Sequence, residues 1–214
     1  MITITILCLF FGCLVILVKI LGGHKYILSN VLGWKIIGEF PDIKKSVIIF
    51  APHTSYWDGF YGKLYLMQLG IKYKFLSKKE FFKFPLKYFF IIFGSIPVDN
   101  TKEFIDYVAI LFNNSKELHI VLSPEGHLAK VTRWKKGYYY MAEKANVPIV
   151  VSFIDYKKKE IGIKKVIYNP TDIGIVRNEI AELYTDVTAK YPEKFSLEVN
   201  RKKEHETKSS ISTW

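Results

Sequence analysis

Apolar residues along the chain fall into short runs separated by turn residues, and the runs alternate between two periods. Continuous apolar stretches at residues 46–51, 73–77, 118–122 and 149–154, with a looser one at 34–40, have the length and β-branched content of buried strands. Between them the spacing lengthens to that of helices. Asp58 opens a segment in which Phe60, Leu64, Leu66, Met67 and Leu69 fit a helix, with Gly70 as its stop. Gly94, Ile96, Pro97 and Val98 read as a further apolar strand, after which Asp99 is expected to cap a helix through Thr101, Phe104 and Val108. Another helix is expected to carry Arg133 and Lys136 and to continue through Gly137 into Tyr138, Tyr139 and Tyr140. Val147 and Pro148 lead into the strand at 149–154. Past Tyr156, residues 157–160 read as a hairpin turn, 179–191 as an amphipathic helix and 198–214 as a loose polar tail. The alternation predicts an α/β domain, a mixed and mostly parallel sheet flanked by helices on both faces.

The N-terminus breaks this pattern. Residues 2–18 carry no charge, and only Thr3, Thr5 and Gly12 dilute the apolar run. A bilayer-spanning helix takes about 20 apolar residues, a length reached here by including Lys19, whose side chain can snorkel to the interface. A secretory signal would need a basic start and a small-residue cleavage site, and neither is present. Residues 24–32 are apolar enough for a second, shallow helix at the interface. The chain therefore divides into a membrane-associated helical segment at 1–32, an α/β domain at 33–197 and a tail at 198–214. Lys19, Lys25 and Lys35 all follow the apolar run, which directs the α/β domain to the cytoplasmic side of the inner membrane. Cys8 and Cys13 both lie within the apolar run, so the domain itself can form no disulfide, as a reducing compartment permits.

Charge narrows the partners. The chain has 214 residues and a formal net charge of +11, from 31 basic and 20 acidic side chains. Anionic phospholipid is the simplest match. Between residues 72 and 87, Lys72, Lys74, Lys78, Lys79, Lys83 and Lys87 interleave with Tyr73, Phe75, Phe81, Phe82 and Phe84, a mixture that suits headgroups and the acyl boundary. Nucleic acid could use the same mixture, but no nucleic-acid motif accompanies it and an uncharged N-terminal helix would serve no such function. Core aromatics with solvated lysine neighbours would look the same in sequence.

Candidate chemistry begins at Ala51-Pro-His-Thr-Ser-Tyr-Trp-Asp58, immediately after a hydrophobic strand. Histidine and aspartate would flank a strand-to-helix turn. A carboxylate there can hold one ring nitrogen of His53 and leave the other to take a proton from a hydroxyl. The same spacing also fits plain helix capping, with Asp58 only a first-turn acid.

Three further blocks follow in order: Gly94-Ser-Ile-Pro-Val-Asp-Asn100, Leu122-Ser-Pro-Glu-Gly126 and Asn146-Val-Pro-Ile149. With the first, this succession resembles the glycerophosphate and lysophosphatidate acyltransferase family over residues 34–156. The resemblance implies an enzyme that moves a fatty acyl group from acyl-CoA or acyl carrier protein to a lysolipid hydroxyl, with no bound cofactor and no metal. It implies His53 as general base and Asp58 as its orienting partner. It also implies acceptor contacts at Glu125 and Gly126, and a pocket shaped by Gly94, Ile96, Pro97, Val98, Ser123, Pro124, Val147 and Pro148. Two departures stand out. Asn100 and Leu128 occupy positions where the family has arginines associated with the acceptor's phosphate. Lys130, Arg133 and Lys136 are nearby substitutes, as Lys135 could be, and a wet basic surface is the other reading of that cluster. Lysophosphatidate is thus the expected acceptor. A lyso-aminolipid, needing no phosphate clamp, is the alternative, and a non-catalytic basic membrane-binding protein is a third reading.

Overall fold

The computed structural model describes residues 26–99 and 101–197. The residues 2–18 read above as an anchor, and the tail read at 198–214, lie outside them. Seven strands form one sheet: β1 (Lys35–Ile37), β2 (Lys45–Ala51), β3 (Tyr73–Lys78), β4 (Ser95–Val98), β5 (Leu118–Leu122), β6 (Ile149–Asp155) and β7 (Glu160–Ile167), in the order β1-β7-β6-β2-β5-β3-β4. Neighbours from β6 to β4 are parallel, and the β6–β7 hairpin turns β7 and β1 the other way. The α/β class and mixed, mostly parallel sheet are those the alternation predicts.

Strand β2 shows how the pattern sorts the layers. Val47, Ile49 and Ala51 face one core with α3 (Lys102–Asn113), α4 (Gly137–Ala145) and α5 (Ile173–Leu183), while Ile48 and Phe50 face the other with α1 (Tyr56–Leu69). Both faces are covered, which is why the strand reads as continuously apolar. Phe89 of α2 (Leu86–Phe93) packs on the α1 side. At β1, Gly162 lies so close to Ile37 that a Cβ would fall 1.9 Å from the Ile37 carbonyl oxygen, so only glycine permits this pairing. Pro97 sits in β4, an edge strand, where a missing N–H does no harm.

Several expectations shift. The strand expected at 34–40 shortens to β1. Thr101 rather than Asp99 caps α3, its hydroxyl accepting from the Phe104 N–H. The helix expected at 179–191 is α5, eleven residues long and capped by Asp172; the chain leaves it at Leu183 because the Tyr156 N–H donates to the Thr188 carbonyl and draws that stretch to the sheet. The shallow helix expected at 24–32 is a short π-helical turn at Ile27–Val31, and Leu28 is fully buried beneath α1. Arg133 and Lys136 do not share a helix. The Lys135 N–H donates to the Pro124 carbonyl and Trp134 is buried with its indole N–H on the Ser196 carbonyl, which holds the loop open until α4 begins.

The start of β5 carries a buried histidine. His119 has its Nδ1 2.7 Å from the Ser46 hydroxyl and its ring edge-on to Phe40, and its Nε2 has no partner. Burial pushes its pKa down to about 4 from an ordinary value of 6.5, with Glu117 opposing weakly. A base whose folded pKa is depressed contributes stability above its unfolded value and loses it as pH falls from about 6.5 toward 4, a loss on the order of 3 kcal/mol. Urea denaturation across that window is expected to show this slope, and the double substitution Ser46→Ala with His119→Leu to flatten it.

Candidate functional site

Four adjacent parallel strands deliver polar residues at their C-terminal ends. Strand β6 is followed by Tyr156, β2 by Pro52 and His53, and β5 by Ser123, Pro124 and Glu125, while β3 ends in Lys78. Loops beyond the carboxyl ends of parallel strands are where such sheets hold ligands, because their side chains converge there without breaking the ladder.

Asp58 holds the centre. Its Oδ2 accepts the backbone N–H groups of Thr54 at 2.6 Å and Ser55 at 2.7 Å, and its Oδ1 accepts the Tyr156 hydroxyl at 2.5 Å. Ser55 caps α1 in return, so Asp58 is the third residue of a capping box. Its Oδ2 also lies 3.5 Å from His53 Nδ1. The Asp58 side chain is almost wholly buried, while that of His53 is 28% exposed. An anion fixed by three donors can orient an imidazole, and Nε2 is then the ring nitrogen turned from it.

Glu125 ties the first block to the third. Its Oε1 accepts the His53 backbone N–H at 2.8 Å and its Oε2 the Ser123 hydroxyl at 2.5 Å. Burial raises its pKa above the ordinary carboxylate value, and the Ser123 hydrogen bond and His53 oppose that rise. Such a carboxylate shapes the loop bearing His53. Gly126 has φ +65°, and Lys135 crosses it so closely that a Cβ would meet the lysine Cε at 2.9 Å. The Lys78 ammonium lies 3.0 Å from His127 Nδ1, and Lys78, more than Lys135, pushes the His127 pKa down.

The sequence-derived residues thus separate into groups. His53, Asp58, Ser123, Pro124, Glu125 and Gly126 come together. Val98 pairs with Lys78 near this end, whereas Pro97, Ile96 and Gly94 lie progressively further back along the edge. Val147 and Pro148 sit at the start of β6, where the Val47 N–H meets the Pro148 carbonyl, at the opposite end of the sheet from His53. Lys130, Arg133 and Lys136 are exposed in the loop before α4. Two contributors were missed. Tyr156 follows a recognisable strand at the same end as His53, which was the available signal; burial first, then Asp58, raises its pKa and keeps it a donor. Tyr184 is fully buried with its hydroxyl on the Ser152 carbonyl at 2.5 Å, behind Glu125, and nothing in its local sequence marked it.

A histidine beside a fixed carboxylate lies at the mouth of a parallel sheet, and comparison with known proteins supplies the class. The family model described as Acyltransferase matches residues 33–154, more than half of the chain, and the chain belongs to that family. The crystal structure of the 1-acyl-sn-glycerophosphate (LPA) acyltransferase PlsC from Thermotoga maritima is similar, with a TM-score of 0.53 at 15% identity, over 100% of this chain and 99% of that one. At that identity the likeness establishes a shared fold. Among curated proteins none matches.

Proposed function

We propose that this acyltransferase is membrane-bound and moves a fatty acyl group from acyl-CoA or acyl carrier protein to the free hydroxyl of lysophosphatidate, giving phosphatidate. The observation that carries the proposal is the partly exposed His53 imidazole whose Nδ1 lies 3.5 Å from a carboxylate that three donors fix in place. Nε2 takes the hydroxyl proton as the oxygen attacks the thioester carbonyl. The tetrahedral intermediate then expels the thiolate, which takes that proton back from the imidazolium. No acyl-enzyme forms. The only cysteines, Cys8 and Cys13, lie in the N-terminal run and not in the motifs.

Phosphate recognition is best supported at Lys78, His127 and Lys135, with Lys130, Arg133 and Lys136 on the outer side. The Lys78 ammonium lies 3.0 Å from His127 Nδ1 and, with Lys135, disfavours the charged imidazole; a phosphate there would meet both lysines and favour its protonation. The apolar run at 2–18 supports attachment to the inner membrane with the domain facing the cytoplasm. Among the described residues no helix is long and apolar enough to cross a membrane.

Purified enzyme assayed with lysophosphatidate and with lyso-ornithine and lyso-glycine lipids tests the acceptor. Lys78→Ala is expected to raise KM for lysophosphatidate roughly 10-fold or more, the loss of one hydrogen bond to a charged group, with kcat little changed. Preference for an aminolipid, with KM indifferent to Lys78, would overturn the phosphate assignment.

A further inference from the structure

Segment 79–93 leaves an apolar surface on the folded domain that its own core does not use. None of the eight residues of α2 is buried. Phe89 points inward, Phe90 stacks on Phe81 at 4.9 Å and Phe93 leans on Phe75 at 5.2 Å, which accounts for the inner side. On the outer side Tyr88 is 61% exposed, Ile91 52% and Ile92 56%, at the i, i+3, i+4 spacing of one helical face, and Phe84 just before them is 84% exposed. Lone exposed apolar residues are ordinary; four large ones within nine residues form a patch. Tyr73 and Phe75, in the same basic and aromatic stretch, are instead half-buried in the core, so the outward surface lies further along the chain than composition indicated.

The surroundings name the occupant. Lys79, Lys83 and Lys87 are exposed around the patch; Glu80 is the single acid within segment 79–93, and Lys79 pairs with Asp99 at 3.4 Å. A second copy of this surface would bring lysines against lysines, and the chain's own residues 2–18 have no charge to offer them. Anionic phospholipid satisfies both halves, with phosphates for the lysines and acyl chains for the aromatic and aliphatic groups. Position agrees. The 3₁₀ turn Lys79–Phe82 follows Lys78 directly, so the patch begins at the end of the sheet that carries His53. It also lies on the α1 side, where the chain enters the domain with exposed Tyr26 and Val31.

We infer that α2 and the turn before it form a second membrane contact, separate from the N-terminal run. Phe84, Tyr88, Ile91 and Ile92 enter the headgroup–acyl boundary of an anionic leaflet, while Lys83 and Lys87 meet lipid phosphates. A helix of eight residues is only about 12 Å long and lies along the surface. The docked patch brings the mouth of the site to the lipid interface, where a single-chain acceptor resides.

The test uses the full chain with Cys8→Ser and Cys13→Ser, one new cysteine at Phe84, Ile91 or Ile175, and a polarity-sensitive fluorophore on that cysteine. Ile175 is an exposed control on α5, on the other face of the sheet. The protein is compared in detergent and after reconstitution into vesicles of phosphatidylcholine, with and without phosphatidylglycerol carrying brominated acyl chains. The expected result is a blue shift and bromine quenching at positions 84 and 91 with the anionic lipid, none at 175, and loss of quenching when Lys83→Glu and Lys87→Glu are combined. The inference is overturned if probes at 84 and 91 remain water-exposed on anionic vesicles. It is equally overturned if they are shielded on anionic vesicles but not quenched by bromine, which would mean the N-terminal run or a second copy covers the patch. The readout involves no turnover, so it stands apart from the role of His53.

Discussion

Replacing His53 with alanine is expected to lower kcat about 10²–10⁴-fold, the range for loss of a positioned general base, while thermal stability stays close to that of the wild type. The side chain is partly exposed, and its backbone N–H, which serves Glu125, is retained by alanine. Lipid binding should survive. A variant with unaltered turnover would show that His53 is not the general base. Asp58 is a poorer place to test the mechanism, because its removal strands the N–H groups of Thr54 and Ser55 and the Tyr156 hydroxyl together. Activity lost there could come from an unfolded turn as readily as from an unheld imidazole. Tyr156→Phe is the milder companion: it removes one donor from Asp58 and leaves the capping box whole, so kcat should fall by less than in His53→Ala with KM little moved.

What the sequence disclosed and what it withheld follow from the range of the interactions involved. His53 and Asp58 were legible because a strand, a proline and a capping box lie within a few residues, and local periodicity marks each of them. The plainer reading has His53 capping the helix and Asp58 as only a first-turn acid; the cap is Ser55, with Asp58 third in its capping box and 3.5 Å from His53 Nδ1. Glu125 was legible as a residue presented at a strand end, but its bond to the His53 N–H spans 72 positions and rests on β2 and β5 being neighbours. Tyr156 needed β6 on the other side of β2, at a separation of 98 residues from Asp58. Lys78 and His127 likewise meet only because β3 lies beside β5. Strand order, which periodicity does not encode, therefore decided that these two basic residues meet. The misplaced helix at 179–191 has the same origin: a long-range bond from Tyr156 to Thr188 outweighed local helical spacing.

Glu125→Leu is expected to damage stability as well as turnover. Leucine leaves the His53 N–H and the Ser123 hydroxyl, both partly buried, without their acceptor; an unpaired group costs about 1–3 kcal/mol when fully buried, so the loss is at most about 6 kcal/mol. The loop that carries His53 would then relax away from Asp58, and kcat should fall with it. Glu125→Gln separates geometry from charge, since its amide oxygen can accept from His53 while its NH₂ donates to the Ser123 oxygen. That variant should keep most of the stability. Its pH dependence carries a sign. Burial raises the Glu125 pKa above its unfolded value, so the protonated carboxyl favours the folded state at low pH, and that contribution is lost as pH rises through the raised value. Glutamine does not titrate, so Glu125→Gln should gain stability relative to the wild type as pH climbs past the ordinary carboxylate range. Chemical denaturation of the three proteins over a pH series would read both effects. A leucine variant as stable as the wild type would show that Glu125 does not hold the His53 loop, and a glutamine variant that loses ground with rising pH would show that its charge is stabilised there rather than penalised.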